Sequence, residues 1–485
     1  MCEGLSLVER PSPQREVPQV TRRRVVIMGA AGRDFHVFNM VFRSDPHVEV
    51  VAFTATQIPG IEGRRYPPEL AASLYPDGIA IVEEDRLEDV VRDRTVDEVV
   101  FAYSDISHVT VMHQASRVLA LGPDFRLVGP WATMVRADVP VVSVCAVRTG
   151  AGKSQTSRFV ASYLREHGRR PIVIRHPMPY GDLARQSVQR FETLGDLDRH
   201  GVTVEEREDY EPHLRRGFTV YAGVDYEAIV HAAQQEGDIL VWDGGNNDFP
   251  FLAPDLEIVV VDPLRPGHET SYHPGEVNLR RAEVVVINKV DSADADAVRS
   301  VREAVAKANP SAVMVETGSR ISATLQTVTS EAASPGSAAA ESNEVETAEV
   351  VSGARVLVIE DGPTVTHGGM PSGAGMKAAV ALGAAEIVDP RPYAVGSIAT
   401  AYQAYPHIGH VLPALGYSNE QLRDLEATVA AVPAEVVISA SPFDLTRTIR
   451  IDLPVVKVTY ELEERGLPSL SSVLEEFVKS LPEPE

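Results

Sequence analysis

At 485 residues, with a formal net charge of −24 and 44% hydrophobic residues, the chain is long enough for roughly two to four domains, each with its own core. Its acidity excludes a nucleic-acid-coating surface, which a duplex would repel, and no apolar run reaches bilayer-spanning length, so neither nucleic acid nor membrane is expected as a partner. Two cysteines, Cys2 and Cys145, give no disulfide framework, and a reducing cytoplasm is the expected compartment.

Residues 1–23 carry Pro, Glu, Gln and Arg without a hydrophobic stretch and read as a flexible leader, not a secretion signal. Residues 24–30 read as a strand that opens a Rossmann-like unit over 24–138. Further strands are expected at 48–54, 98–103 and 126–128, and helices at 87–93 and 108–121. Between the first strand and its helix stands Gly29-Ala-Ala-Gly-Arg-Asp-Phe-His36, whose spacing does not complete a dinucleotide fingerprint. A helix start of this kind is suited to a substrate phosphate assisted by Arg33 and His36.

The central unit, 139–323, begins with an apolar strand that runs into residues 147–154, Val-Arg-Thr-Gly-Ala-Gly-Lys-Ser. This is a phosphate-binding loop in which Val147 replaces the usual first glycine and Arg148 takes the signature position of the deviant form. Gly150 and Gly152 let backbone N–H groups approach phosphate oxygens, and the following helix offers its positive end. Thr149, Gly150, Ala151, Gly152, Lys153, Ser154 and Gln155 form the expected nucleotide cradle. Lys153 would neutralise phosphate charge and Ser154 would hold Mg²⁺. Only six lysines occur in the chain, and two of them, Lys153 and Lys289, fall in nucleotide motifs.

Later strands of the same unit are expected at 171–175, 238–242, 257–261 and 283–288, apolar throughout as in a parallel sheet buried on both faces. Each delivers chemistry at its end. Asp243 is the second candidate for Mg²⁺. Arg175 with His176, and Arg265 with His268, are candidate anion-binding groups. Asn288-Lys289-Val290-Asp291 matches the N-K-x-D base-recognition motif of GTP-binding proteins, and Asn288, Lys289 and Asp291 join the nucleotide-binding candidates. The charge run 205–209, Glu-Glu-Arg-Glu-Asp, reads as a solvated face.

Residues 324–353, rich in Ala, Ser and Glu, read as a flexible linker or insertion. Residues 354–485 read as a C-terminal α/β unit, with strands at 354–361, 435–439 and 455–460 and helices at 375–382 and 470–481. Its glycine-rich loop carries His367. The fold class is therefore α/β: a Rossmann-like N-terminal domain, a central P-loop NTPase domain with a mostly parallel sheet, and a C-terminal α/β domain.

Five segments together, Gly29-x-x-Gly-Arg-Asp-Phe-His36, the Arg-Thr-Gly-Ala-Gly-Lys-Ser loop, Arg175-His-Pro-Met-Pro-Tyr-Gly-Asp182, Asn288-Lys-Val-Asp291 and Glu360-Asp-Gly-Pro-Thr-Val-Thr-His-Gly-Gly369, resemble the cyclic 2,3-diphosphoglycerate synthetase family. The resemblance implies an ATP-dependent ligase that closes 2,3-diphosphoglycerate into an intramolecular phosphoanhydride, releasing ADP and phosphate. Lys153, Arg148 and Mg²⁺ on Ser154 and Asp243 would then stabilise phosphoryl transfer, with Arg265 and His268 beside them. A cationic basin of Arg33, His36, Arg175, His176, Arg265, His268 and His367 would hold the repelling phosphates together. The competing expectation is a regulatory or metallochaperone-like GTPase using Asn288, Lys289 and Asp291. By analogy with related nucleotide-loop proteins, a homodimer is expected.

Overall fold

The computed structural model describes residues 22–30, 32–55, 64–176, 181–245, 248–326, 346–416 and 418–483. The leader up to residue 21, Cys2, Ala31, part of the segment after His176, and most of the linker (327–345) lie outside the described residues. No helix among the described residues is long and apolar enough to cross a membrane.

The fold is α/β. In the N-terminal unit six strands pair in the spatial order Arg65–Tyr66, Ile79–Glu83, Val48–Ala55, Arg23–Met28, Glu98–Phe101 and Asp124–Leu127. All are parallel except the short edge strand Arg65–Tyr66. The helix expected at 108–121 forms as His108–Leu121, with the Ser107 hydroxyl capping the Thr110 N–H. The aromatic cluster Phe35, Phe38, Phe53 and Tyr66 fills one face of this sheet.

Among the described residues, Ile106–Ser107 pairs antiparallel with Tyr272–His273, and the other remaining strands form one thirteen-stranded sheet. Its central half runs Val188–Phe191, Val220–Gly223, Pro171–Arg175, Ile239–Asp243, Val141–Ala146, Leu256–Val261, Val284–Ile287 and Val313–Gln326. Ile239–Asp243, Val141–Ala146 and Leu256–Val261 are buried at every position, because helices cover both faces. The sheet then continues through Val455–Arg465, Val436–Ser439 and Arg355–Asp361 to Glu386–Ile387, with Leu412–Ala414 also paired to Arg355–Asp361. The linker expected at 324–353 therefore does not separate two sheets: Thr324, Leu325 and Gln326 are still strand, and helix resumes at 346–351.

The join between the two halves positions the site. Val313–Gln326 pairs antiparallel with Val455–Arg465, from Glu316 opposite Arg465 to Gln326 opposite Val455. Ile287 ends level with Glu316, whereas Ser439 ends beside Lys457, which lies opposite Thr324. The two parallel halves run in opposite senses, so their carboxyl edges, where α/β folds present ligands, face each other across the long pair.

The N-terminal unit closes the third side. His36 stacks on Phe251 at 3.9 Å and 5°, Phe251 stacks on Trp242 at 5.0 Å, and the Asn39 amide donates to the Val224 carbonyl. Phe251 is thus shared by two units and almost wholly buried. Phe251→Ala is expected to destabilise the protein by about 3–5 kcal/mol, read as a lowered urea midpoint.

Candidate active site

Val147 does not turn. Its N–H donates to the Val260 carbonyl at 3.1 Å, so it extends the preceding strand, and the turn is left to the residues that follow. Gly150 and Gly152 adopt φ of +78° and +112°, conformations that a side chain disfavours. Gly152 then caps the helix Lys153–Glu166, whose first N–H groups open into a cleft of about 630 Å³. Asn288 fits against the turn so closely that a Cβ on Gly152 would lie 1.9 Å from its amide nitrogen. That amide donates to the Ala151 carbonyl at 2.9 Å, and Lys289 donates to the Gly150 carbonyl and to Asp262 (3.0 Å). The first two residues of the N-K-x-D segment therefore brace the loop. Asp291 is exposed and does not line the cleft.

Asp243, fully buried, gathers the loop and two neighbouring elements. Lys153 Nζ donates to one carboxylate oxygen at 2.7 Å, His213 Nε2 meets the other at 2.9 Å, and Arg175 lies 3.3 Å away while also donating to the carbonyls of Asp243 and Gly244. Burial alone would raise the Asp243 pKa, but the charges of Arg175 and Lys153, with His213, hold it far below the usual carboxylate range. Burial depresses Lys153, with the Arg175 charge adding to the effect.

Arg148, almost fully buried, is a junction of all three units. Its Nε lies 2.7 Å from Asp105 of the N-terminal unit, one Nη donates to the His367 carbonyl of the C-terminal unit at 3.0 Å, and the guanidinium sits 3.8 Å above Tyr272. Its other Nη meets His268 Nδ1 at 3.0 Å, and since a guanidinium only donates, Nδ1 accepts. Burial, then the charges of Arg148 and Arg265, lower His268 to about 4, which keeps it neutral at physiological pH. Asp105 also accepts from the Thr149 hydroxyl at 2.8 Å and has φ of +55°. It was not among the candidates read from sequence, although it closely follows the strand Glu98–Phe101, where such folds place functional groups.

The expected cationic basin is not one cluster. Arg33, Arg175, His176 and His367 line the cleft, whereas His36, Arg265 and His268 do not. His36 is packed against Phe251, with Nε2 2.6 Å from the Thr133 carbonyl, and burial lowers it to about 3. Arg265 bonds Asp262 (2.9 Å) and the Gly368 carbonyl (2.6 Å). Arg33 stands 3.8 Å from Asp248, which also meets His176 at 2.5 Å, and Arg175 pairs with Asp209 as well as Asp243. These charges are compensated within the protein.

Carboxylates make another part of the lining: Glu205, Glu208, Asp209, Glu360 and Asp361. The charge run at 205–209 is thus not a solvated face. It opens the helix Val204–Leu214, and Glu205, Glu206 and Glu208 are buried because that helix is sandwiched between the central sheet and the C-terminal unit. Thr203 and Glu206 form a capping box at its start. His213, on the same helix, is the other functional group that sequence reading missed. Burial raises Glu205 and Glu206 to about 7 and Glu208 well above its ordinary value, the Asp361 charge contributing to the last. Glu360 differs in role, its carboxylate accepting the backbone N–H groups of Gly373, Gly375 and Met376.

As candidates for Mg²⁺, Ser154 lines the cleft and Asp243 adjoins it through Lys153, so a hydroxyl and a carboxylate oxygen of the type that cation takes are close to the loop.

Two measurements follow from this geometry. Gly152→Ala combines a strained backbone with a clash on Asn288, and is expected to weaken Mg-ATP binding at least tenfold by calorimetric titration while circular dichroism stays native. A carboxyl whose folded pKa lies above its unfolded value of 4.5 contributes stability that is fully present below pH 4.5 and lost as pH rises through about 7. The ligand-free protein is therefore expected to lose stability between about pH 5 and pH 8, and Glu205→Gln to flatten that slope by about 3 kcal/mol or less, read from urea midpoints.

No family model matches the chain. It is 56% identical over 459 residues, 95% of this chain and 98% of the relative, to the arginine synthetase ArcE of Thermococcus kodakarensis. Among solved structures it is similar to LpxK of Aquifex aeolicus in complex with ATP, with a TM-score of 0.43, 11% identity, and coverage of 80% of this chain and 99% of that one. It is also similar to the UDP-N-acetylmuramate:L-alanyl-gamma-D-glutamyl-meso-diaminopimelate ligase of Neisseria meningitides, with a TM-score of 0.25, 10% identity, and coverage of 62% and 81%.

Proposed function

Since the chain belongs to the family of the arginine synthetase ArcE, we propose that it is an ATP-dependent ligase that makes arginine in the cleft where its three carboxyl edges meet. The observation that carries this reading is the 56% identity along nearly the whole of both chains. The cleft supports it chemically, because a phosphate-binding turn and a wall of carboxylates suit a reaction that takes a triphosphate and yields a cation.

The triphosphate lies along the turn, its β- and γ-phosphates meeting Lys153, which leaves Asp243 for them. Mg²⁺ accompanying the nucleotide would be held by Ser154 and Asp243 and would supply charge neutralisation of the phosphates. Arginine carries its guanidinium carbon at the oxidation level of urea, so the acceptor is a ureido amino acid. The ureido oxygen attacks the γ-phosphorus, the bond to the β-bridging oxygen breaks, and ADP leaves. Ammonia then adds to the activated carbon, the C–O bond breaks, orthophosphate departs, and the guanidino group retains a proton as guanidinium. Lys153 stabilises the charge developing on the transferred phosphoryl group, and Arg148 positions the loop between Asp105 and His367.

The cyclic 2,3-diphosphoglycerate reading draws on the same loop, but its substrate carries only negative charge. The carboxylate wall repels such a ligand, and Arg33, Arg175 and Arg265 already answer Asp248, Asp209, Asp243 and Asp262. The GTPase reading needs Asp291 at a base, and Asp291 stands outside the cleft lining.

Incubation with Mg-ATP, the ureido amino acid and ammonium is expected to give arginine, ADP and phosphate in equal amounts, followed by amino-acid analysis and phosphorus NMR. Turnover of 2,3-diphosphoglycerate without arginine formation would reverse the assignment, and GTP outcompeting ATP would favour the switch. Lys153→Ala is expected to lower kcat at least about 100-fold.

A further inference from the structure

The cleft holds a group that the nucleotide chemistry does not use. Glu205 and Glu208 come from the first turns of the helix Val204–Leu214, and Asp361 ends the strand Arg355–Asp361, so the three converge from opposite halves of the long sheet. Glu208 accepts from the Ser441 hydroxyl at 3.3 Å and Asp361 from the Thr364 hydroxyl, and burial raises the pKa of both, with the Asp361 charge adding to the effect on Glu208. Glu205 is buried to within 5% of its surface. Its carboxylate oxygens lie toward the backbone N–H groups of Glu205 and Gly416 without a well-formed hydrogen bond to any partner among the described residues.

Buried carboxyls are normally answered by a cation or by full hydrogen bonding, because the desolvation of an uncompensated charge costs several kcal/mol. Lys377 lines the same cleft, and three further cations of the region are engaged elsewhere. Arg175 pairs with Asp209 and Asp243, Lys457 donates to the carbonyls of Ser441 and Phe443, and Arg158 donates to the Tyr460 carbonyl. A metal ion is not the natural occupant, since no group of three His, Cys, Asp or Glu among the described residues has the arrangement to hold one.

We propose that Glu205, Glu208 and Asp361 form the subsite for the guanidinium group of the product, giving the cleft an anion-binding end at the glycine turn and a cation-binding end at these carboxyls. A guanidinium presents five N–H donors in a planar fork and matches several carboxylate oxygens at once. The neutral ureido group that precedes it accepts at oxygen and donates at nitrogen, which a partly protonated carboxyl set satisfies equally. As the cation forms, its charge favours the ionised form of these carboxyls, so the same wall suits each species in turn. This assignment rests on the arginine reading for the identity of the ligand, and on the carboxyl trio alone for its chemical class.

The experiment compares wild type with Glu205→Gln and Glu208→Gln, both near-isosteric, by calorimetric titration with L-arginine and with a non-hydrolysable Mg-ATP analogue. Each variant is expected to lose at least tenfold in arginine affinity while nucleotide affinity changes less than twofold. Relief of a buried carboxyl should also raise the unfolding temperature of each ligand-free variant at about pH 8, a gain that a merely structural carboxyl would not give. Unchanged arginine affinity in both variants overturns the subsite and leaves the arginine reading standing. Methylguanidinium separates the two ideas: if wild type neither binds nor makes arginine, the functional reading falls. Stabilisation of wild type, and not of the variants, by methylguanidinium still upholds the cation site, and its absence removes it.

Discussion

Asp243 is a carboxylate with no exposure to water, and the rest of the site is arranged around keeping it charged. An isolated buried anion is prohibitively expensive, so three partners must reach it, and each arrives from a different element. Lys153 brings the first turn of the nucleotide helix, Arg175 the end of the neighbouring strand, and His213 the far end of the helix Val204–Leu214. That last requirement has a structural by-product. A helix tied at His213 to the centre of the sheet must carry its acidic first turns inward, and this is how Glu205 and Glu208 come to line the cleft.

Charge is sorted within the cleft by the same economy. The arginines of the central sheet are committed to internal carboxylates, so that what faces the cavity beside the turn is largely backbone N–H with Lys153 and Lys289, whereas the C-terminal side offers carboxyl groups together with Lys377. Arg148 has a different task. Held by Asp105, His268, Tyr272 and the His367 carbonyl, it fixes the loop relative to both flanking units. An arginine suits that place better than a lysine, since its rigid fork can satisfy several partners while its face stacks on an aromatic ring.

The phosphate loop was legible in the sequence because its grammar is local: an apolar strand, two glycines, a lysine and a helix suffice. The strands around it were equally plain, their unbroken apolar runs leaving little choice of environment. What escaped was set by contacts distant in sequence. The run at 205–209 has the composition of a solvated face, and only the packing of its helix between two halves of a sheet reveals that three of its glutamates are buried. Asp105 had a positional signal, the end of a parallel strand, but no motif to announce it. His36 has the look of a phosphate ligand beside a glycine turn, yet the ring completes an aromatic stack with Phe251 that no local pattern encodes. The continuity of the large sheet was hidden for the same reason, since antiparallel pairing of Val313–Gln326 with Val455–Arg465 joins residues well over a hundred positions apart.

That long pair acts as a ruler. Ile287 stops level with Glu316, and Ser439, through Lys457, stops level with Thr324, so the opposed edges stand eight residue steps apart. At about 3.3 Å per step this is a span of roughly 26 Å, reduced by twist and by the loops that reach inward. The width of the chamber is therefore written in the length of two strands and not in any side chain. Chains that share this architecture can retune what fits between a phosphate tail and the far wall by adding or removing ladder rungs, with the chemistry at either edge left intact.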